Sequence, residues 1–253
     1  IQLGDYVVSL ARGDWGKSIL SGQPVFRQMK KGLAVSAQMG AAASVVLVVV
    51  GIPLGVLAAM KQNTFIDYWI VLISIVVRSI PVFVMAPILL ILLVLWLDVM
   101  STPVGWNGIF STKVIIPVFL MAAGPLLVVV RQTRMGVLEV MGQNYVRTAR
   151  AKGLGETAVR SRHILRNALI PVVTVLSMSL SGLLISSVII ERFFGIPGAG
   201  QLAIESFFGR DYPVITALVL MGGTAFFVGN LLVDLIYPIL DPRIRLESGA
   251  PSG

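Results

Sequence analysis

Five runs of this sequence are each long and apolar enough to cross a lipid bilayer, and that fixes the solvent before any finer feature is read. A membrane-crossing helix needs about 20 mostly apolar residues. Leu33 to Met60 is the first such run, with Gly51, Pro53 and Gly55 near its end, where a kink is expected. Ile66 to Leu97 is the second, long enough to tilt or break, with Arg78, Pro81 and Pro87 inside it. Val114 to Val130 is short but continuous, and Ala168 to Ile190 contains SMSLSGLLISS, whose small residues let helices approach closely. The fifth runs from Tyr212 to Tyr237 and holds Gly222, Gly223 and Gly229. Only 13% of the residues are charged and mean hydropathy is +0.90. The fold class is therefore an all-α membrane protein, a polytopic helical bundle.

The same charges orient the chain. Between the third and fourth runs stand Arg131, Arg134, Arg147, Arg150, Lys152, Arg160, Arg162 and Arg166, which the positive-inside rule places in the cytoplasm. Alternation then puts residues 1–32, 98–113 and 191–212 outside and the tail from Pro238 inside. The bias is modest, because Arg12, Lys17, Arg27, Lys30, Lys31, Lys113, Arg192 and Arg210 lie in the outer segments. A net charge of +8 is explained by these loops more economically than by nucleic acid. Cysteine is absent and there is one histidine, so disulfides, thiolate chemistry and Cys-based metal sites are excluded. No paired carboxylates, nucleophile triad or metal-ligand spacing appears; no catalytic residue, metal or cofactor is assigned. GDWGKS at Gly13 to Ser18 imitates the end of a phosphate-binding loop, but its first glycine is replaced by Ala11.

The basic stretch YVRTARAKGLGETAVRSRHILRNALIP, from Tyr145 to Pro171, interrupts this apolar chain. Asn144 to Lys152 reads as a short helix closed by Gly153, with cations in its last turn. A second helix starts near Gly155 and Glu156 and runs through His163 toward Pro171, and His163 reads as a surface or interface side chain. Val146 and Ala149 share a face, making a small apolar knob among arginines. Such a knob suits a groove in another protein or an anionic lipid surface. Periodicity favours neither.

YVRTARAKGL followed by RHILRNALIPVVT resembles the cytoplasmic EAA loop of ABC importer permeases of the dipeptide/oligopeptide branch. The resemblance continues through GDWGKSI, QPV, GIPLGVLAA, SIPVF, RQTRMGVLEV, ERFFGIPGAGQL, RDYPVI and NLLVDLIYPILDPRIR, in the family's order over nearly the whole chain. It implies a type I importer permease fold with a first helix ahead of Ile1, and a multi-pass subunit of a bacterial or archaeal cytoplasmic membrane with its C-terminus inside. It divides the chain into an external segment, 1–32, and a permease domain, 33–253, with its EAA loop at 131–167. It implies that Tyr145, Val146, Arg147, Thr148, Ala149, Arg150, Ala151, Lys152, Gly153 and Leu154 form the coupling helix. That helix would dock on an ATP-hydrolysing subunit, its apolar face packing there and its arginines meeting carboxylates. Arg147 and Thr148 stand where the general pattern has Glu and Ala, so no role of that carboxylate carries over. The partners implied are a second permease, two ATPases that bind ATP and Mg, an external binding protein and a peptide. Relatives in the same branch handle glutathione or nickel chelates.

Two further sets of residues follow. Arg78 lies about twelve residues into the second run, roughly 18 Å along a helix, where a charge is costly and faces protein or water. It is a pathway candidate with Pro81 and Phe83; the alternatives for it are a structural counter-charge or the carbonyls freed at Pro81. Asp234, nearer the end of its run, reads as snorkelling or capping a loop. Residues 191–212 read as an external cap with a short helix around Leu202 to Phe208 and buried aromatics at Phe193, Phe194, Phe207 and Phe208. The resemblance makes it a reentrant element near the binding-protein surface, with Gly195, Pro197, Gly198, Gly200, Arg210 and Asp211 as docking candidates. An ion-coupled secondary transporter would show paired broken helices of an inverted repeat and intramembrane acids. No such repeat is seen and intramembrane acids are nearly absent; a membrane scaffold holding a cytoplasmic partner is the other competitor.

Overall fold

The structure, a computed structural model, describes residues 8–10 and 12–240. Among the described residues the regular structure is helical, apart from one antiparallel bridge between Lys17 and Pro24. The first span is longer than the Leu33 start expected. Helix α1, Val25–Val46, continues through a π-helical turn, Leu47–Gly51, into α2, Ile52–Met60. Where a kink is expected, at Gly51 and Pro53, the helix continues through that π-helical turn, which lies directly before Pro53. The second run breaks. Helix α3, Phe65–Ser79, stops because Ile80, preceding Pro81, is held extended at φ −95°, ψ 118°. Helix α4, Val82–Leu90, then runs π-helically through Ile91–Trp96.

Helix α5, Ile115–Met141, extends eleven residues past the expected end at Val130, through a stretch that holds no proline and tolerates Gly136. RQTRMGVLEV is thus helix rather than loop. Helix α6 is Asn144–Ala151, and α7 occupies 156–168 with a π-helical centre, Val159–Leu165. Helix α8, Ile170–Phe194, α9, Ala199–Phe208, and α10, Tyr212–Leu240, complete the order. Val25–Met60 and Thr112–Met141 are each long and apolar enough to cross a membrane, as is the broken α3–α4 pair taken as one span. Helices α8 and α10 have 25 and 29 residues, about 37 and 43 Å at ~1.5 Å per residue. The side chain of Asp234 and the tail beyond Leu240 lie outside the described residues.

The chain divides into two compact units. The first comprises residues 1–43, 82–121 and 183–228. Its core packs Val25 and Met29 of α1 against Val214 and Ala217 of α10, flanked by Trp15 and Leu202. Two buried carboxylates shape its connections. Glu191, near the end of α8, accepts hydrogen bonds from the Ser36 hydroxyl at 2.6 Å and from the N–H groups of Gly200 and Gln201 at 2.7 and 3.2 Å. An anion thus sits on the N-terminus of α9, where the unsatisfied N–H groups and the helix dipole favour it. The approach is so close that a side chain at Gly198 would overlap the carboxylate. Asp211 accepts from the Ser18 hydroxyl and from the N–H groups of Ile19 and Leu20, so the glycine-rich GDWGKS segment is a structural strap.

The aromatics of residues 191–212 are not uniformly buried, as had been expected. Phe194 is 1% exposed, whereas Phe207 and Phe208 are 68% and 80% exposed. The inward face of α9 must be small, because a Cβ at Gly200 would come within 2.5 Å of the Val188 backbone. Gly200 and Ser206 occupy that face, and the two phenylalanines point away from it.

The second unit comprises residues 44–81, 122–182 and 229–253. Helix α2 lies against α5 so closely that a Cβ at Gly55 would meet Thr133 at 2.5 Å. Its core gathers Ala59 of α2, Val137 of α5, Val146 and Ala149 of α6, and Val159, Ile164 and Ala168 of α7. Asp67 in the first turn of α3 takes a two-pronged ion pair from Arg134 of α5, with both N–O distances 2.7 Å.

Candidate coupling site

Helix α6 ends as its sequence dictates. The Leu154 N–H donates to the Ala149 carbonyl and the Gly153 N–H to the Arg150 carbonyl, the two bonds of a Schellman cap. Gly153 sits at φ +75°, a conformation that costs an L side chain about 1–2 kcal/mol, and nothing lies within 4 Å of where a Cβ would be. The requirement for glycine there is conformational, not steric.

The apolar knob faces inward, which corrects the expectation that it packs on a partner. Val146 is 0% exposed and Ala149 5%, both enclosed by α2, α5 and α7 of the same chain. A two-residue stripe at i, i+3 buries itself against the nearest apolar surface, and Val137 and Ile164 supply one. The opposite face presents Arg147, Thr148, Ala151 and Lys152 to the outside. Between the faces, side chains tie α6 to α7. Arg150 pairs with Glu156 at 2.8 Å, so it is engaged within the chain rather than free for a partner. Arg160 approaches the same carboxylate at 3.6 Å, and the Asn167 amide donates to the Tyr145 hydroxyl at 3.2 Å. The hydrogen bond from Arg150 holds the Glu156 carboxyl below its ordinary value, against a small opposing effect of burial. Leu154, just beyond the cap, is exposed. His163 is half-buried on α7, its carbonyl accepting from Asn167 at 2.9 Å.

These contacts give α6 two distinct surfaces. One anchors it to the ends of three helices, so a displacement of α6 carries Ala59, Val137 and Ile164 with it. The other offers two cations and two small side chains on one helical face, a shape suited to an acidic groove.

The remaining candidates separate by burial. Arg78 and Pro81 are exposed on the second unit, and Phe83, also exposed, belongs to the first. Among the six docking candidates, Gly195, Pro197 and Arg210 are exposed. Gly198 and Gly200 are occupied in cradling Glu191, and Asp211 is buried by Ser18 and the strap. Burial would raise the Asp211 carboxyl, but hydrogen bonds from Ser18, Ile19, Leu20 and Val214 outweigh it and hold the group below its ordinary value. Sequence reading missed Glu191, Ser36 and Asp67; an acid in the first turn of α3 was the one local signal for the last.

A family model described as "Binding-protein-dependent transport system inner membrane component" matches residues 51–246. The chain is 37% identical over 243 residues to the dipeptide transport system permease protein DppB of Bacillus subtilis, covering 96% of this chain and 78% of that one. It is 35% identical over 245 residues to the oligopeptide transport system permease protein OppB of Escherichia coli, covering 96% and 80%. Among solved structures, an inward-facing form of the MetNI methionine ABC transporter matches with a TM-score of 0.68 at 16% identity, over 84% of this chain and 96% of that one. An amino acid ABC transporter crystallised with histidines matches with a TM-score of 0.63 at 18% identity, over 84% and 94%. The helical fold is thus that of ABC importer permeases, and this multi-pass membrane chain belongs to the family of binding-protein-dependent transport system inner membrane components.

Proposed function

We propose that the chain is a permease subunit of an ATP-driven, binding-protein-dependent peptide importer. The similarity to dipeptide and oligopeptide permeases over nearly the whole chain carries the substrate class. It forms half of a translocation pathway with a second, similar permease. It performs no chemistry itself; ATP and Mg belong to two separate ATPase subunits. The basic loop and the C-terminus lie in the cytoplasm, and residues 191–212 face the binding protein.

Helix α6 is the coupling element, and the observation that carries this role is its two-sidedness. Arg147, Thr148, Ala151 and Lys152 meet the ATPase, while Val146 and Ala149 lock the helix to α2, α5 and α7. Closure of the ATPases on ATP displaces α6, and the packed helix ends move with it. The pathway thereby exchanges inward-facing for outward-facing access when the loaded binding protein docks. Two ligands then bias two global states from opposite sides of the membrane.

The test is co-purification followed by reconstitution. The chain is expected to carry both ATPases and a second permease, with ATP turnover stimulated by peptide-loaded binding protein. Purification without an ATPase, or turnover indifferent to the loaded binding protein, refutes the reading.

A further inference from the structure

The second unit contains a cavity of about 700 Å³ between α3 and α5. Three guanidinium-bearing side chains line it, Arg78, Arg131 and Arg134, together with Ser74 and Ser79. Arg134 is neutralised by Asp67 through both of its prongs. Arg78 and Arg131 have no carboxylate partner among the described residues. Both serine hydroxyls donate to backbone carbonyls one turn back, Ile70 and Ile75, leaving their lone pairs as acceptors only. The wall therefore carries two uncompensated positive charges.

Depth restricts what can neutralise Arg78. The exposed aromatics Phe65, Tyr68 and Trp69 at the start of α3 mark the level of the lipid headgroups. Arg78 lies nine residues beyond Trp69, about 13 Å further along the helix axis. A headgroup phosphate resides at the level of the belt, not a dozen ångströms below it. A charge at that depth persists where it faces water or a polar ligand. Guanidinium groups match carboxylates in planar two-pronged geometry, and Arg131 and Arg134 stand on one face of α5, three residues apart.

We propose that Arg78 and Arg131 form a carboxylate-binding station for the transported peptide, with Arg134 held at its edge by Asp67. This rests on the importer reading above and adds to it a substrate requirement, a free carboxylate recognised between Arg78 of α3 and Arg131 of α5. Ile75 and Leu127 supply apolar wall for the remainder of the ligand.

The experiment uses the complete complex in vesicles and a matched pair of peptides, one with a free C-terminal carboxylate and one amidated, both delivered by the same binding protein. The quantity read is the ratio of free-acid to amide uptake in variant relative to wild type, so the binding protein's own preference cancels. Arg78→Gln and Arg131→Gln are each expected to shift that ratio against the free acid by about tenfold, the scale of one charge-assisted hydrogen bond. Arg78→Lys, which keeps the charge and loses the fork, is expected to shift it less.

An unchanged ratio in both Gln variants overturns the proposal, whether uptake stays intact or falls for both peptides alike. Vesicles of phosphatidylcholine alone and with added phosphatidylglycerol separate the lipid source. Variants whose only change is a loss of dependence on phosphatidylglycerol assign the arginines to lipid phosphate and overturn it too. A wild-type complex that transports neither peptide brings down the importer reading itself; wild-type transport with an unchanged variant ratio brings down only the carboxylate station.

Discussion

Substituting adjacent residues of α6 separates its two surfaces. Val146 is fully enclosed, so Val146→Ala removes about two buried methyl-sized groups, roughly 1.6 kcal/mol at ~0.8 kcal/mol each. That corresponds to about a fifteenfold rise in the population with α6 detached. Val146→Asp is harsher, because it sets a carboxylate among Ala59, Val137 and Ile164 with no cation in the cluster; several kcal/mol is the expected scale. The exposed Arg150–Glu156 pair holds little in compensation. Arg147→Glu with Lys152→Glu, by contrast, changes only exposed positions, each worth within about 0.5 kcal/mol of stability.

Hydrogen–deuterium exchange on the permease pair without ATPases reads the inner surface. Amides of 144–151 are expected to exchange about fifteenfold faster in Val146→Ala, more than a hundredfold faster in Val146→Asp, and at wild-type rates in the double charge reversal. Retention of ATPase subunits on purification reads the outer surface, and there the charge reversal is expected to fail. Protected amides in Val146→Asp would refute the inward anchoring. Full ATPase retention and wild-type transport in the double reversal would refute the outward docking face.

Three other outcomes are expected. At Gly153 the left-handed backbone, not crowding, sets the requirement, so Gly153→Asn is expected to keep ATPase coupling while Gly153→Val weakens it; equal behaviour, read as peptide-stimulated ATP turnover, contradicts the cap. Asp67→Asn leaves Arg134 without its counter-charge beside a carboxylate site that is 3% exposed; the loss is expected near the lower end of about 3–5 kcal/mol, since Arg134 is 24% exposed, and thermal unfolding of the purified complex measures it. For Asp211 the folded carboxyl lies below its ordinary value of 3.8, so its stabilisation is complete above that value and is lost as pH falls through the lower folded one; wild type is expected to lose thermal stability below about pH 4, and Asp211→Asn to show a shallower dependence in that range.

What could be read in advance was local. A break in the second run and the glycine closing α6 each depend on neighbours within a few residues, and both are found, whereas the first and third runs extend beyond their expected bounds. What could not be read was which surface an apolar or polar group would meet. Val146 and Ala149 announce a stripe, but the residue that claims it includes Ala59, some ninety positions away. The polar struts are more remote still: Arg134 reaches Asp67 across 67 residues, Ser36 reaches Glu191 across 155, and Ser18 reaches Asp211 across 193.

That distance has a functional consequence. The family resemblance implies a docking surface near residues 191–212, yet Gly198, Gly200 and Asp211 are spent on building the element rather than on presenting it. Glu191 holds the start of α9 and Asp211 holds the strap around Ser18, so the two carboxylates fix the element from both ends. Under the importer reading proposed above, the surface left to a binding protein is the exposed set, Gly195, Pro197, Arg210 and the paired rings of Phe207 and Phe208, whose centroids stand 5.7 Å apart. An aromatic pair beside a cation on a braced loop is a surface of the kind that supplies most of the energy of an interface. The same division holds at α6, where the apolar residues anchor and the charged ones face out. In both places the fold uses the conspicuous residues of the motif internally, so the proposed contacts with other subunits rest on less conspicuous neighbours.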